Sequence, residues 1–163
     1  MPEKHPFTVR TTSADETEAF GRMLGTLFGP GDVVALSGEL GAGKTVLVRG
    51  IVTGTGSAAH VASPTFTLIR EYAGPVPLFH ADLYRIDTPA QLIDLGLEEF
   101  FDRGGIVVIE WAERAGALLP REHLWISITF GPGENDRDLR VTARGPRHEE
   151  ILTRLAASGG DPR

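Results

Sequence analysis

The sequence contains no cysteine, which excludes a disulfide framework, a thiolate metal site and a cysteine nucleophile together. Its five histidines are scattered and lack the spacing of a zinc site. No apolar run approaches the roughly 18 residues of a membrane span, and the N-terminal segment lacks the apolar stretch of a secretory signal. We therefore expect a soluble, cytoplasmic protein that has no membrane partner.

Positive charge is also scarce, with 16 basic residues against 22 acidic ones and a net charge of -6. A general nucleic-acid binder usually carries a basic footprint, so this balance argues against that class. Only two of the basic residues are lysines, Lys4 and Lys44. Because the chain otherwise uses arginine, the compact ammonium group at position 44 stands out.

The length of 163 residues is that of about one domain, and no linker-like stretch divides the chain. We expect a single domain over 1–163, with a core at about 7–156 and a flexible tail at 157–163. The apolar patterns predict strands at 7–10, 32–37, 66–72, 76–84, 106–109, 124–130 and 139–141, and helices over about 13–28, 44–54 and 88–95. This order predicts an α/β protein with a three-layer P-loop NTPase-like fold, in which a mixed central sheet has helices on both faces.

The stretch GELGAGKT, residues 38–45, follows a predicted buried strand and opens a predicted helix. It matches the Walker A pattern G-x-x-x-x-G-K-S/T, which this composition would produce by chance about 0.004 times per chain. Glycines let backbone N–H groups turn inward around phosphates, and the following helix adds its unpaired N–H groups. Lys44 would reach the β- and γ-phosphates, and the Thr45 hydroxyl would bind Mg²⁺. The predicted nucleotide-binding residues of this loop are Glu39, Leu40, Gly41, Ala42, Gly43, Lys44, Thr45 and Val46.

Two acidic residues follow predicted strands. Glu110 comes directly after the apolar run 105–109, and Asp82 comes after the less apolar run 77–81. In open α/β sheets, ligands bind at the carboxyl ends of the strands. One acid would hold Mg²⁺ through water, and the other would orient or deprotonate an attacking water molecule. The residues alone leave open which acid has which role.

Thr65 and Trp111 are further candidates. Thr65 lies in the segment SPTF, between the loop helix and the next strand, where the phosphate-sensing loops of nucleotide switches commonly lie. It would sense the γ-phosphate or its metal, or it would simply open a strand through a local turn. Trp111 follows Glu110 and would shield the site from water, dock on a partner or pack in the core.

Missing motifs narrow the nucleotide class. The guanine-selecting pattern N/T-K-x-D needs a lysine, and none follows Lys44, so the sequence favours ATP over GTP. A G-x-G-x-x-G fingerprint and an LSGGQ-like transporter signature are also absent. A small P-loop kinase is an alternative enzyme, although the sequence shows neither an acceptor pocket nor an arginine-bearing lid.

Five segments occur in a distinctive order and spacing. They are GELGAGKTVLVRG (38–50), SPTF (63–66), HADLYR (80–85), LGLEEFF (95–101) and IVVIEWAER (106–114). With them the chain resembles the TsaE family, formerly YjeE, the bacterial ATPases of tRNA threonylcarbamoyladenosine synthesis. The resemblance covers residues 7–130 approximately. Very many NTPases share the loop motif, whereas SPTF, D-L-Y-R and E-W following it are specific to this family.

The resemblance implies a Mg²⁺-dependent ATPase that is weak alone and acts with TsaB and TsaD. Its turnover would support threonylcarbamoyladenosine modification of ANN-decoding tRNAs, and it would meet tRNA only indirectly, through the complex. By the same resemblance, Lys44 and Glu110 would be catalytic. Thr45, Asp82 and Glu110 would hold Mg²⁺.

The resemblance also places Thr65 in a switch-like loop and Trp111 beside the nucleotide. Two residues depart from the family pattern: Val46 stands where a second threonine is common, and Ala112 stands where a proline is usual. A nucleotide-gated binding module, in which hydrolysis is incidental, is the competing class of function.

Overall fold

The computed structural model describes residues 5–61 and 69–159, and within them seven strands form one mixed sheet. The strands are β1 (Phe7–Thr11), β2 (Val33–Gly38), β3 (Ile69–Tyr72), β4 (Leu78–Asp82), β5 (Ile106–Glu110), β6 (His123–Phe130) and β7 (Arg137–Arg144). Their order across the sheet is β1-β7-β6-β2-β5-β4-β3. β2 pairs in parallel with β5 and β6, and β4 pairs in parallel with β5. The remaining pairs, β1 with β7, β6 with β7 and β3 with β4, are antiparallel.

Helices cover both faces of this sheet. They are α1 (Ala14–Gly25), α2 (Lys44–Gly54), α3 (Pro89–Leu95), α4 (Leu97–Phe101) and α5 (Pro146–Ala157), with a 3₁₀ helix at Ala112–Leu118. α1, α2 and α5 share an apolar core with one face of the sheet, and α3, α4 and the 3₁₀ helix share a second core with the other face. The predicted α/β fold is therefore confirmed.

The central strands explain why the loop and the acids meet. Residues 33–36 of β2 and 106–109 of β5 are all buried, as expected for parallel strands that are covered on both faces. In the register of these two strands, Leu36 lies opposite Glu110. On the other side of β5, Asp82 lies opposite Glu110. Both acids thus end their strands at the edge where β2 enters the glycine loop.

α1 and α2 pack so closely that their contact requires glycine. A Cβ on Gly50 of α2 would lie 2.0 Å from the carbonyl oxygen of Glu18, and a Cβ on Gly21 of α1 would lie 2.4 Å from that of Leu47. Such distances leave room for a hydrogen atom only. The contact fixes α2, whose first residue is Lys44, against α1.

α5 holds the amino end of β2. Nε2 of His148 accepts a hydrogen bond from the Val33 N–H at 3.1 Å. Arg147 donates to both carboxylate oxygens of Asp32, at 3.1 and 3.0 Å. Ile151 belongs to the main core. The strand that leads into the glycine loop is therefore anchored at its far end by the last helix.

Most predicted elements lie within a few residues of the observed ones. β4 is shorter than predicted, and residues 66–68 of the predicted third strand lie outside the described residues. Ser13 is the N-cap residue of α1 and accepts a hydrogen bond from the Glu16 N–H, while the Glu16 carboxylate accepts one from the Thr12 N–H. The sequence analysis did not predict α4, the 3₁₀ helix or α5.

Candidate nucleotide site

The loop of residues 38–43 joins β2 to α2 and leaves its backbone accessible. A Cβ on Gly38 would lie 2.7 Å from the carbonyl oxygen of Ile128, so the loop begins where two strands approach too closely for a side chain. Gly41 and Gly43 have φ values of 81° and 103°, which favour glycine. A Cβ at either position would meet no atom within 4 Å. This open space leaves room for a phosphate group beside the backbone.

The ammonium group of Lys44 lies against the loop that precedes it. Its Nζ donates to the carbonyl oxygens of Gly38 and Glu39, at 2.5 and 2.9 Å. Burial lowers the pKa of Lys44, while the charges of Glu110, Glu113 and Asp82 act in the opposite direction. Since a buried cation without a full counter-charge is costly, this position favours the arrival of an anion.

Arg137, the first residue of β7, supports the loop from behind. Its Nε donates to the carbonyl oxygen of Ala42 at 3.1 Å, and its Nη1 donates to the carbonyl oxygens of Glu134 and Asp136, at 3.1 and 2.8 Å. Ala42 itself is buried, and its N–H donates to the carbonyl oxygen of Glu39 at 3.0 Å. These bonds hold the loop in its observed shape.

Glu110 joins the loop to the sheet. It is buried, with 2% of its surface exposed, and its Oε1 accepts a hydrogen bond from the Thr45 hydroxyl at 3.3 Å. Its other oxygen, Oε2, lies 2.5 Å from Nε2 of His80. Because a buried carboxylate needs such partners, both bonds stabilise it at this position. Glu110 therefore directs one oxygen toward the first turn of α2.

Asp82 lies beside Glu110 at the end of the neighbouring strand. Its Oδ1 accepts a hydrogen bond from the Tyr84 N–H at 3.0 Å. Burial raises the pKa of the Asp82 carboxyl, and the charge of Glu110 adds to this effect, whereas the Tyr84 N–H and the charges of His80 and Lys44 lower it. A cation bound beside the two carboxyl groups would offset the effect of the Glu110 charge on Asp82.

Trp111 forms a wall of the site through an unusual backbone conformation. It has φ 56° and ψ 44°, the only positive φ of a non-glycine residue within 5–61 and 69–159. Such left-handed conformations in bulky residues cluster at functional sites. The Trp111 and Tyr84 ring centroids are 5.1 Å apart, and the Arg114 guanidinium lies 5.3 Å from the Trp111 centroid. Arg114 also donates to the carbonyl oxygens of Tyr84 and Ile86.

The structure thus brings together Lys44, Thr45, Asp82, Glu110 and Trp111 beside the loop of residues 38–43. Of the other loop candidates, Glu39 and Leu40 are exposed, with Leu40 71% exposed, and Val46 is half-buried in the first turn of α2. Thr65 lies outside the described residues, so its predicted role stays a prediction.

The sequence analysis did not select two residues that the geometry brings to the site. His80 shares its strand face with Asp82, and this alternation was the signal that could have identified it. Arg137 reaches Ala42 from 95 positions away, and no local pattern announces such a contact. Both residues hold other members of the site in place.

The oxygen donors fit a magnesium ion. Mg²⁺ binds oxygen ligands at about 2.1 Å in octahedral geometry, so neighbouring ligands lie about 3 Å apart. The Thr45 Oγ1 and the Glu110 Oε1 are 3.3 Å apart. Asp82 supplies a second carboxylate beside them. Thr45, Asp82 and Glu110 could therefore hold Mg²⁺ together with phosphate oxygens.

A cavity of about 120 Å³ adjoins the loop. It is lined by Ala14, Thr17, Gly41, Ala42, Gly43, Val46, Asn135 and Arg137. Its walls are thus a mixture of small apolar side chains, loop backbone and three polar side chains: Thr17 of α1, Asn135 before β7 and Arg137 at the start of β7.

Comparison with known proteins assigns the chain to a family. Residues 11–139 match the family model described as Threonylcarbamoyl adenosine biosynthesis protein TsaE. The chain belongs to the TsaE family. All the predicted site residues of this TsaE-family protein lie within the matched part.

Individual relatives agree with this assignment. The chain is 40% identical over 148 residues to the tRNA threonylcarbamoyladenosine biosynthesis protein TsaE of Bacillus subtilis, covering 90% of this chain and 92% of the relative. It is 41% identical over 123 residues to the protein of the same name from Haemophilus influenzae, covering 74% and 76%.

A solved structure shares the fold along nearly the whole length. The crystal structure of Bacillus subtilis YdiB is 34% identical in sequence, with a TM-score of 0.83, and the match covers 98% of this chain and 99% of that one.

Within the part of the TsaE-family chain that the structure describes, no helix has the length and apolar character needed to cross a membrane.

Proposed function

We propose that this TsaE-family protein binds ATP with Mg²⁺ and hydrolyses it in support of tRNA threonylcarbamoyladenosine biosynthesis. The observation that carries the proposal is the hydrogen bond from the Thr45 hydroxyl to Glu110. It joins the residue after the loop lysine to a buried acid, so that the phosphate-binding element and a carboxylate share one small volume. A glycine-rich turn without such a function has no need of a buried acid at this position.

The residues of the site have separate roles in this proposal. Gly41 and Gly43 leave the loop backbone open to the phosphates, and Lys44 neutralises the β- and γ-phosphates once its ammonium leaves the loop carbonyl groups. Thr45 and Asp82 would bind Mg²⁺ directly, and Glu110 would reach the ion through a bound water molecule, which leaves its Oε1 able to accept a hydrogen bond from water. When bound, Mg²⁺ neutralises phosphate charge and polarises the phosphoryl group.

Glu110 acts on the water that attacks the γ-phosphorus. Its Oε1 faces α2 and is placed to accept a hydrogen bond from that water, which orients it for in-line attack. The oxygen of this water bonds to the γ-phosphorus as the bond from the γ-phosphorus to the bridging oxygen breaks, so that ADP leaves with that electron pair and the proton that the water loses passes to the phosphate product. Burial keeps bulk water from competing with this one molecule.

The base of the nucleotide fits the cavity beside the loop. Its volume of about 120 Å³ suits a flat heteroaromatic ring, Val46 offers an apolar wall, and the Asn135 amide offers both a donor and an acceptor. An Asn135→Ala variant tests this placement. We expect it to weaken ATP binding and to reduce the preference for ATP over GTP.

The proposed partners are TsaB and TsaD homologues, with tRNA engaged only through their complex. The family membership supports this assignment, and the net charge of -6 suits a chain that does not grip tRNA by itself. In this scheme the protein drives repeated cycles of the modifying complex, while another subunit performs the transfer.

The test compares Glu110→Ala with Glu71→Ala, which removes an exposed acid from the edge strand β3. Phosphate release is measured with TsaB and TsaD homologues from the same cell, and Mg²⁺-ATP binding is measured by calorimetry. We expect Glu110→Ala to lose roughly 100-fold or more in turnover while it still binds ATP, and Glu71→Ala to keep both. Full turnover by Glu110→Ala would reject the role of Glu110, and absence of ATP binding by the native protein would reject the proposal.

Two further measurements separate the competing functions. If a non-hydrolysable ATP analogue sustains many rounds of tRNA modification, the protein is a nucleotide-gated binding module. If labelled γ-phosphate appears on a small molecule or protein and not as free phosphate, it is a kinase. We expect neither result.

A further inference from the structure

The side chain of His80 is fully buried in β4. Its neighbours along the strand, Phe79 and Ala81, are buried and apolar, and the ring of Tyr72 lies 6.2 Å away between centroids. A buried imidazole is costly unless it is hydrogen-bonded. Within the described residues Nδ1 has no hydrogen-bond partner, so the polar role of His80 rests on Nε2.

That nitrogen contacts Glu110. Nε2 lies 2.5 Å from Oε2, and a carboxylate oxygen can only accept, so the hydrogen is on Nε2. The terminal torsion of glutamate is broad and does not by itself fix the carboxylate plane. The contacts to His80 and Thr45 together fix it, because each engages a different oxygen.

The register explains why one strand serves both acids. His80 and Asp82 are two residues apart on β4, so they share a face of the sheet, and Asp82 lies opposite Glu110. β4 therefore supplies the acid Asp82 itself, and two positions earlier it supplies His80, the hydrogen-bond partner of Glu110. Active-site groups need to be held within about 0.5 Å of their productive geometry, which a single bond from Thr45 does not achieve.

We propose that His80 is a positioning residue for hydrolysis: its Nε2–H holds Oε2 of Glu110 so that Oε1 faces the space beside Thr45 where water attacks. The inference rests on the proposed ATPase function. It assigns no proton transfer to His80, which touches neither the nucleotide nor the attacking water.

The test uses substitutions that differ in reach. In His80→Gln the amide nitrogen lies near the position of Nε2 and can still donate to Glu110. In His80→Asn the side chain is too short for its amide nitrogen to reach Glu110. His80→Leu removes the donor altogether. The control is His148→Gln, because His148 is also buried and its Nδ1 also has no partner among the described residues, yet it contacts the Val33 N–H at the other end of β2.

Turnover of Mg²⁺-ATP is measured as kcat and KM with the partner proteins, ATP affinity by calorimetry, and folding by thermal unfolding. We expect His80→Leu and His80→Asn to lose roughly 10- to 100-fold in kcat with less than about threefold change in ATP affinity, and His80→Gln to recover most of the kcat. His148→Gln should change the unfolding midpoint and leave kcat unaltered.

Three outcomes contradict the proposal. If native kcat persists in both His80→Leu and His80→Asn, His80 does not position Glu110. If Asn and Gln lose kcat equally while both remain folded, the reach of the donor is irrelevant and the proposal also fails. If the native protein itself shows no ATP turnover with its partners, the proposed function fails and this inference with it, so the two failures are distinguished by the native control.

Discussion

The Nζ atom of Lys44 lies 4.3 Å from the centroid of the Trp111 ring, in cation–π contact. The left-handed turn at Trp111, directly after Glu110, is what brings the indole over the ammonium group. In the described structure, therefore, the ammonium group of Lys44 is held by two loop carbonyl groups on one side and by an aromatic ring on the other. A triphosphate would compete with these contacts for the same cation.

This competition predicts an optical signal. We expect Mg²⁺-ATP to change the fluorescence of Trp111, because the phosphates draw Nζ away from the indole. Trp111→Phe should abolish the change, since the other tryptophan, Trp125, donates to the Ser37 hydroxyl outside this contact. A fluorescence change of native size in Trp111→Phe would contradict the prediction.

Replacing the lysine should separate binding from stability. Burial lowers the pKa of Lys44, which means that the folded protein disfavours its charge when no anion is present. We expect Lys44→Met to weaken ATP binding more than about tenfold, which corresponds to about 1.4 kcal/mol, with an unfolding midpoint no lower than native. Arg154→Met removes an exposed charge from α5 and should alter neither quantity. A large fall in the midpoint of Lys44→Met would show that the ammonium is structurally required.

The anchor of β2 by α5 predicts a pH dependence of stability. Burial lowers the pKa values of His148 and His123 below the usual 6.5. The unfolded chain then binds protons at a higher pH than the folded one, so the contribution is complete above about pH 6.5 and is lost as the pH falls through the lower folded values. The charge of Asp32 opposes the shift at His148 without reversing it.

Urea unfolding between pH 7.5 and pH 5 measures this effect. We expect the native protein to lose free energy of unfolding over that range and His148→Gln to lose less, because glutamine does not titrate. His123→Gln should flatten the profile further. Equal slopes for the native protein and both variants would refute the assignment.

The close crossing of α1 and α2 predicts a large effect from one methyl group. Gly50→Ala places a Cβ 2.0 Å from the carbonyl oxygen of Glu18, so we expect a loss of roughly 3 kcal/mol or more in the free energy of unfolding. Gly29→Ala is the matched control, since its Cβ would meet only Arg147 at 3.6 Å. It should change stability by less than about 1 kcal/mol. Thermal and urea unfolding measure both, and similar losses would disprove the steric explanation.

The sequence predicted the meeting of the loop with the acids because that meeting depends on local patterns. Apolar runs before Gly38 and Glu110 identify buried parallel strands, and parallel strands bring their carboxyl ends to one edge. The same logic placed Asp82. Nothing in these patterns gives a distance, so the bond between Thr45 and Glu110 became visible only in the structure.

Other features escaped prediction for physical reasons. α4 is five residues long, which is too short for an apolar period to be recognised. α5 depends on contacts between Arg147 and Asp32, which are 115 positions apart in the chain, and the helix has few apolar positions. Arg137 supports the loop across a similar span. Contacts of this kind form only when distant segments come together in the folded sheet, and they produce no recognisable pattern among neighbouring residues in the sequence.

The helix α5 stabilises the start of β2, so the loss of this helix would affect a strand that lies far from it in the sequence. A protein that stopped before Pro146 would leave the Val33 N–H and the Asp32 carboxylate without the partners that α5 supplies. The first residues of β2 would then lose their hydrogen bonds to α5 and fray, although the sequence of the glycine loop at the opposite end of the strand would be unaltered. Shortened versions of this protein should therefore be judged by whether they keep residues 146–157, even though the family match ends at residue 139.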